Sequence, residues 1–210
     1  LKRIMPEYKL LYFNLRARGE VARQLFALAG QPYEDARVEF ADWPEFKKSM
    51  PFAQLPVLFV DGKPIPQSIT IARYLARQFG FAGKTLLEQA LVDSIADQFT
   101  DFYREARPFF ITLGGFVPGK WEDLIEPVLR KARDGFLPLV TKFLRDSKSG
   151  FLVGDSVTYV DLILAEHVST AKVYDSEYVK NYPEVQAHWA KVRAIPNLKK
   201  WIEERPKTIY

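Results

Sequence analysis

The sequence contains no cysteine. This excludes disulfide bonds, cysteine-ligated zinc, iron–sulfur clusters and a thiol nucleophile supplied by the protein itself. Histidine is almost as scarce, because His167 and His188 are the only two in the chain, so a histidine-rich metal site is excluded as well. No apolar run comes near the roughly 18 residues that crossing a bilayer requires. We therefore expect neither a required metal nor a membrane span.

The common catalytic motifs are missing too. There is no G-x-S-x-G nucleophile elbow, no phosphate-binding G-x-x-x-x-G-K-[ST] loop, no G-x-G-x-x-G turn and no H-E-x-x-H zinc motif. Both histidines fall inside predicted helices without a motif partner, which favours a structural role for them. Any catalysis must therefore use hydroxyl groups, cations or a reagent that comes from outside the protein.

The formal net charge of +4 is unevenly distributed. Residues 1–85 contain 13 Lys and Arg against 8 Asp and Glu, whereas residues 86–210 contain 17 against 18. The basic residues are scattered rather than clustered with aromatic residues, so nucleic-acid binding is not expected. No apolar run follows the charges at the N-terminus, so a secretory signal is not expected and Met5 is the expected natural start. The predicted location is cytoplasmic.

The first 80 residues alternate short strands and helices. The patterns predict a strand over 8–13, a helix over 19–29 that Gly30 stops, a strand over 33–38, a helix capped by Asp42, a hairpin over 55–66 that turns at Asp61-Gly62, and a helix over 69–79 capped by Ser68. This order predicts a small mixed sheet with helices on its faces.

From Leu86 onward the periodicity is helical throughout. The predicted helices cover 86–110, kinked or ended by Pro108; 122–145, bent at Pro138; one that Thr158 and Asp161 open as a capping box; and two shorter ones that begin at Pro183 and Pro196. The predicted fold class is therefore α+β, with a mixed domain over 6–80, a linker over 81–85 and an all-α domain over 86–210.

An ordered series of residues in the first part describes a pocket for a short anionic peptide. A tyrosine ends the first strand, two arginines follow in the loop, Leu55-Pro56 precedes a buried strand, and Gln67-Ser68 starts a helix. A cis bond before Pro56 would turn the Leu55 backbone toward solvent, where an extended peptide could pair with it. The N–H groups at the helix start, next to Ser68, suit a carboxylate.

Five segments resemble glutathione transferases, most closely the sigma class and the related nematode-type (nu) group. They are residues 8–20, 41–45, 55–58, 67–75 and 151–158, and the similarity extends over nearly the whole chain after Met5. The resemblance implies a cytosolic glutathione transferase fold, with a thioredoxin-like N-terminal domain and an all-α C-terminal domain. It also implies a homodimer that uses glutathione as co-substrate.

The same resemblance assigns roles to individual residues. Tyr12 would hydrogen-bond and stabilise the glutathione thiolate, helped by Arg18, and these two are the expected catalytic residues. The other implied glutathione contacts are Trp43 and Lys47 for the glycine carboxylate, Leu55 with Pro56 and the neighbouring Gln54 for the cysteinyl unit, Gln67 and Ser68 for the γ-glutamyl end, and Asp101 for the γ-glutamyl ammonium of the neighbouring subunit.

The resemblance also predicts a site for a second, hydrophobic substrate. Its expected residues are Phe13, Leu15 and Arg18 on one side and Tyr103, Arg107 and Tyr210 on the other. Pro108 is followed by two phenylalanines where prostaglandin-isomerising relatives carry a tryptophan, which suits a more open site. Asp93, Asp97 and Asp101 recur every four residues, a stripe that collects a divalent cation in some sigma-class relatives.

The leading hypothesis is a glutathione transferase that adds the glutathione thiolate to small hydrophobic electrophiles in detoxification. Two alternatives are a carrier of haem or similar hydrophobic ligands with incidental transferase activity, and a glutathione-dependent prostaglandin isomerase. A purely structural protein, such as the lens proteins that some relatives have become, is disfavoured by the intact set of predicted glutathione contacts.

Overall fold

The computed structural model describes residues 6–208, so the predicted start at Met5 and the predicted contact Tyr210 lie outside the described residues. The described chain divides into two compact units. The first unit comprises the described residues up to Phe81 together with those from Ile195 onward, and the second comprises Ala82–Ala194.

The first unit is built on a mixed four-stranded sheet. Its elements follow in the order β1 (Tyr8–Phe13), α1 (Glu20–Ala29), β2 (Glu34–Val38), α2 (Trp43–Ser49), β3 (Val57–Val60), β4 (Lys63–Pro66) and α3 (Ser68–Phe79). The strand order is β2-β1-β3-β4; β1 is parallel to β2 and antiparallel to β3, and β3 is antiparallel to β4. This is the predicted thioredoxin-like arrangement.

The core of the first unit lies between the sheet and the helices α1 and α3. Leu10 of β1, Leu25 of α1 and Leu75 of α3 have no exposed surface. Gly30 ends α1 in the left-handed conformation, with φ of 62°, as a glycine at this position predicts. The Asp61-Gly62 hairpin joins β3 to β4 as predicted.

The second unit is helical in its described residues. It contains α4 (Leu86–Leu113), α5 (Lys131–Asp146), α6 (Tyr159–Tyr174) and α7 (Pro183–Arg193). Pro108 lies inside α4 and does not end it. The prediction of one helix over 122–145 is wrong, because a 3₁₀ turn (Trp121–Leu124) and a π-helical segment (Ile125–Arg130) precede α5. Pro127 falls in the π-helical segment, where it has no N–H to donate to a regular α-helical ladder.

The last helix, α8 (Pro196–Glu204), belongs to the first unit, although its place in the sequence put it in the predicted all-α domain. The reason is Glu20 of α1, whose side chain is only 1% exposed. Its Oε1 accepts hydrogen bonds from Trp201 Nε1 at 2.7 Å and Arg205 Nη1 at 2.6 Å. A buried carboxylate requires such partners, so the C-terminal segment completes the first unit.

The predicted helix caps are partly right. At α6, Thr158 and Asp161 form the predicted capping box, and Asp161 Oδ2 accepts the Thr158 N–H at 2.7 Å. At α2 Asp42 occupies the predicted cap position, but it has helical φ and ψ and its side chain makes no capping bond. At α3 the predicted cap is wrong, since Ser68 is the first helical residue and Gln67 occupies the cap position.

Both histidines have the predicted structural role in the helical unit. His167 Nε2 lies 2.7 Å from the Tyr178 hydroxyl, and His188 Nε2 lies 2.8 Å from Asp161 Oδ1. Burial lowers the pKa of His167 to about 3, so its imidazole stays neutral at physiological pH. Within residues 6–208, no helix is both long and apolar enough to cross a membrane.

Candidate functional site

All four strands present one of their ends at the same edge of the sheet. In the parallel pair, Phe13 at the end of β1 faces Val38 at the end of β2. In the antiparallel pairs, Leu11 faces Val57, and Val57 faces Pro66 at the end of β4. We call this common end, with the segments attached to it, the site edge. It carries most of the predicted glutathione contacts: Tyr12, Trp43, Lys47, Gln54, Leu55, Pro56, Gln67 and Ser68.

Tyr12 lies at the site edge near the end of β1, with 5% of its side chain exposed. Its hydroxyl oxygen accepts a hydrogen bond from the backbone N–H of Arg18 at 3.3 Å. A phenol that accepts a bond in this way can still donate its own hydrogen. The structure therefore brings together the two residues predicted to be catalytic, although the contact uses the Arg18 backbone while its side chain is exposed.

Gly19, just before α1, packs directly against the Tyr12 ring. A Cβ atom at position 19 would lie 2.4 Å from Tyr12 Cδ1 and 2.8 Å from Cγ, far inside van der Waals contact. The backbone of Gly19 has φ of −83°, so space and not backbone conformation requires glycine here. The close approach also brings the N-terminus of α1 next to the tyrosine. Sequence reasoning treated Gly19 only as the start of a helix.

An aromatic cluster adjoins Tyr12 at the ends of β1 and β2. The Phe13 ring stacks on Phe40 with 4.7 Å between centroids and 26° between planes. Trp43 meets Phe13 edge-on at 5.5 Å, and the Tyr12 and Phe13 rings are 5.7 Å apart. Phe40 keeps 47% of its surface exposed. Phe40 was not predicted as a site residue, because nothing in the local sequence pattern places it on Phe13.

Helix α2 presents the residues predicted to bind the glycine carboxylate. Trp43 is half-buried and Lys47 is exposed four residues later, one helical turn along the same face. Lys47 has no ion-pair partner among residues 6–208, whereas its neighbour Lys48 pairs with Glu45 at 3.0 Å. The Lys47 ammonium is therefore able to meet an anion.

The loops before β3 and after β4 carry the next group of predicted contacts. The Leu55-Pro56 bond is cis, the geometry considered for this site from the sequence. Gln67 has φ of 73°, a left-handed backbone that non-glycine residues seldom adopt. Its Nε2 lies 3.5 Å from Oε1 of Gln54, so the two glutamines meet. In the described chain no side chain caps α3, which leaves the N–H groups beginning at Ser68 for a ligand.

The predicted aspartate stripe lies on α4 in the second unit. Asp93 Oδ1 accepts the Tyr159 hydroxyl at 2.7 Å, and Asp101 Oδ1 pairs with Arg104 Nη1 at 3.1 Å. Among the described residues, no group of three or more histidine, aspartate or glutamate side chains could hold a metal ion. At least Asp93 therefore has a structural partner within its own unit.

The predicted contacts of the hydrophobic substrate divide between the units. In the first unit Phe13 is half-buried and Leu15 is only 8% exposed. In the second unit Tyr103 stacks on Phe110 with 5.3 Å between nearly parallel rings, and Arg107 is exposed. Tyr210 lies outside the described residues.

The first unit is thioredoxin-like and is joined to a helical unit. Within the described residues, its site edge combines a tyrosine hydroxyl with the N-terminus of a helix that no side chain caps. These features together define a class of protein. Two family models match the chain, "Glutathione S-transferase, N-terminal domain" over residues 8–77 and "Glutathione S-transferase, C-terminal domain" over residues 120–205.

Known relatives align with this chain over nearly its whole length and over nearly the whole of their own. "Probable glutathione S-transferase 5" of Caenorhabditis elegans is 50% identical over 206 residues, which are 97% of this chain and 99% of that protein. A solved Nu-class enzyme from Haemonchus contortus is 52% identical, with a TM-score of 0.88 over 98% of this chain and 100% of that chain. Na-GST-3 from Necator americanus, described as monomeric, is 51% identical, with a TM-score of 0.93 over 97% of this chain and 100% of that chain.

The chain belongs to the glutathione S-transferase family and is of the nematode type. It is therefore a transferase that conjugates glutathione, its co-substrate. This confirms the family, the fold and the reaction class expected from the sequence.

Proposed function

We propose that the protein binds glutathione at the site edge, holds it as a thiolate at Tyr12 and transfers its sulfur to small hydrophobic electrophiles, a detoxification reaction. One observation carries the proposal. The Tyr12 hydroxyl, polarised by the Arg18 N–H at 3.3 Å, adjoins the N-terminus of α1, at the edge where the other predicted contacts of the tripeptide are attached.

The energetics of this arrangement are sufficient for thiolate formation. A free thiol has a pKa of about 8.5 and is mostly protonated at neutral pH, and lowering this pKa by about two units requires about 2.7 kcal/mol. A hydrogen bond to a charged group contributes about 1.5–3 kcal/mol. Donation from Tyr12 therefore supplies most of the stabilisation, and the N-terminus of α1 and the Arg18 cation add to it. An ordinary phenol, with a pKa of about 10, keeps the proton that it must donate.

In the transfer step the glutathione thiol gives its proton to solvent and the sulfur attacks the electrophilic carbon. With an aryl halide, the carbon–sulfur bond forms, the carbon–halogen bond breaks and the halide leaves. The protein contributes positioning and stabilisation of the charged nucleophile.

The remaining glutathione contacts follow the chemistry of each end of the tripeptide. We propose that Trp43 and Lys47 bind the glycine carboxylate. The Leu55 backbone beside Pro56 would pair with the cysteinyl unit, with Gln54 next to it. Gln67 and Ser68 would bind the γ-glutamyl end. Among residues 6–208, Lys47 has no ion-pair partner and no side chain caps α3, which supports these assignments. Residues 6–80 would then form the glutathione-binding domain.

We further propose that Phe13, Leu15 and Arg18 contact the electrophile, and that Tyr103, Arg107 and Tyr210 contact it as well. The half-buried Phe13 ring next to Tyr12 supports the first group most directly. Leu15 is largely buried and would contribute mainly through its backbone position.

The test is conjugation of a chromogenic aryl halide by the wild type, Tyr12→Phe and Tyr8→Phe. Tyr8 is the matched control, because it is a buried tyrosine four residues earlier on the same strand. We expect Tyr12→Phe to lower kcat/KM about 10- to 100-fold, the value of one hydrogen bond to a charged group, and Tyr8→Phe to change it little. Wild-type turnover no faster than glutathione in buffer would contradict the proposal, and equal losses in the two variants would remove Tyr12 from this role.

We also propose a homodimer in which Asp101 of the partner subunit reaches the γ-glutamyl ammonium. The exposed apolar side chains support an interface, since Phe52 is 59%, Leu86 84% and Leu87 71% exposed in the single chain. The Necator americanus relative is described as monomeric, so the assembly of this chain needs its own measurement.

Sedimentation should give about twice the chain mass of 24.2 kDa. Phe52→Asp should yield monomers, whereas Phe116→Asp, a change at a similarly exposed phenylalanine, should not. A monomeric wild type would refute the dimer.

A hydrophobic-ligand carrier is the second candidate function, and the Phe13–Phe40 stack favours it. The two stacked rings, with Phe40 47% exposed, offer apolar aromatic surface that suits a planar ligand such as haem. Tight haem binding that survives Tyr12→Phe and is lost in Phe40→Ala, with very weak conjugation, would favour the carrier over the enzyme.

We propose a cytoplasmic location, because the co-substrate is the reducing thiol of that compartment. Fractionation of cells that express the tagged full chain tests this proposal, and recovery with a secreted or organellar marker would contradict it.

A further inference from the structure

Arg23 of α1 is a completely buried arginine close to the proposed catalytic tyrosine. Its side chain has 0% exposure. Nη1 donates to the carbonyl oxygen of Leu15 at 2.5 Å, and Nη2 donates to that of Phe13 at 3.3 Å. Nε donates to Asp35 Oδ1 at 3.0 Å. Two of its three acceptors are thus backbone carbonyls, one at the last residue of β1 and one in the loop that follows β1.

A second arginine holds the residue between those two carbonyls. Arg37 Nη1 donates to Asn14 Oδ1 at 2.9 Å, and its Nη2 contacts Asp35 Oδ2 at 2.7 Å. Asp35 therefore binds both arginines, one through each oxygen. Three successive residues, the last of β1 and the two that follow it, are thus held by two guanidinium groups that share one carboxylate.

The same buried cation also lies near the Tyr12 ring. The guanidinium carbon of Arg23 is 5.7 Å from the ring centroid, and Gly19 packs against the same ring. Glu20 Oε2 is 3.6 Å from Arg23 Nη1, while the other oxygen of that carboxylate, Oε1, accepts from Trp201 and Arg205. Because Arg23 is shielded from water, its charge is screened much less than that of a surface arginine.

We propose that Arg23, supported by Arg37, is a positioning residue of the transferase. Its planar fork fixes the 13–15 segment and with it the Tyr12 ring, and its charge favours the negative sulfur that Tyr12 binds. A guanidinium is suited to this because its five N–H groups have a fixed geometry that a lysine ammonium cannot reproduce. The inference rests on the proposed role of Tyr12 and extends it to a side chain that never touches the substrate.

The test measures the bound thiol directly, without an electrophile. Glutathione-saturated Arg23→Lys and Arg23→Gln are titrated by the ultraviolet absorbance of the thiolate, beside the wild type. We expect the pKa of the bound thiol to rise by about one unit or more in both, with a tenfold or greater loss of kcat/KM below that pKa. The rising limb of the pH profile moves to higher pH accordingly.

Arg130→Lys is the matched control. Arg130 also holds a buried aspartate, Asp175, through two bonds of 2.8 Å, but it lies in the other unit. The Arg130→Lys variant should lower the melting temperature and leave the pKa of the bound thiol unchanged. This result would separate an effect on positioning from an effect on stability.

Folded Arg23 variants that titrate like the wild type would overturn the inference. If neither Arg23 variant folds, Arg37→Gln tests the same segment through its bond to Asn14. It should raise the pKa of the bound thiol by a smaller amount, and an unchanged pKa in this variant also overturns the inference. A wild type that forms no thiolate would instead contradict the proposed function, so the two failures are distinguishable.

Discussion

Replacing Asp161 by asparagine should be among the most destabilising changes in the helical unit. The Asp161 carboxylate has no exposed surface and accepts four hydrogen bonds. Oδ1 accepts the Leu152 N–H and faces His188 Nε2, both at 2.8 Å, while Oδ2 accepts the Thr158 N–H at 2.7 Å and the Thr158 hydroxyl at 2.8 Å. One side chain thus fixes the start of α6, the loop before it and helix α7.

The magnitude follows from what asparagine can replace. Its single carbonyl oxygen serves one pair of donors, and its NH₂ group then faces the other pair, so that a buried backbone N–H, that of Leu152 or that of Thr158, loses its acceptor. A hydrogen bond to a charged group is worth about 1.5–3 kcal/mol, and breaking a buried charged network typically costs about 3–5 kcal/mol. We expect a loss of about 3–5 kcal/mol from a total stability on the order of 5–15 kcal/mol.

The assay is urea unfolding followed by tryptophan fluorescence and by circular dichroism, whose coincidence checks for a single transition. The control is Glu88→Gln at the start of α4, where the same kind of capping box is exposed and Glu88 Oε2 accepts the Thr85 N–H at 3.3 Å. That change should cost about 1 kcal/mol or less. Similar unfolding midpoints for the two variants would refute the reasoning that burial sets the difference.

Two further predictions concern Tyr12 and His167. The Gly19→Ala change requires the Tyr12 ring to shift by about 1 Å and should lower kcat/KM about tenfold or more with the fold intact. The control Gly135→Ala places its new Cβ where nothing lies within 4 Å and should leave activity unchanged. Equal activities of the two variants would contradict this prediction. His167 stays neutral in the folded protein down to a pKa of about 3 but protonates near 6.5 when unfolded. The free energy of unfolding should therefore fall as the pH drops below 6.5, by up to about 1.4 kcal/mol per pH unit. Urea unfolding of His167→Gln between pH 6.5 and 4.5 tests this, and a fall as steep as that of the wild type would contradict the prediction.

Features written in short stretches of sequence could be predicted. The Asp61-Gly62 turn, the Gly30 stop and the Thr158–Asp161 capping box depend on residues next to each other in the chain, and all three are present. The capping bond of Asp42 is absent because this residue has helical φ and ψ, and Ser68 lies inside α3 because Gln67, with a φ of 73°, takes the cap position.

The surroundings of Tyr12 could not be predicted in the same way. Gly19 and Arg23 lie 7 and 11 positions from it, and their contacts depend on the angle at which α1 leaves the sheet. Trp201 and Arg205 reach Glu20 from about 180 residues away, a pairing that no local pattern encodes. The resemblance to a known family supplied the roles of the site residues, while the structure supplies the groups that hold them.

The pairing of Glu20 with α8 has a consequence for how the protein is made. The ribosome delivers Trp201 and Arg205 only after the whole helical unit has been synthesised, so until then a carboxylate destined for burial lacks two of its partners. Although domains generally fold from the N-terminus during synthesis, the unit that holds Tyr12 is translated first and completed last. A nascent chain stalled before residue 195 would therefore hold a finished helical unit and an unfinished catalytic one.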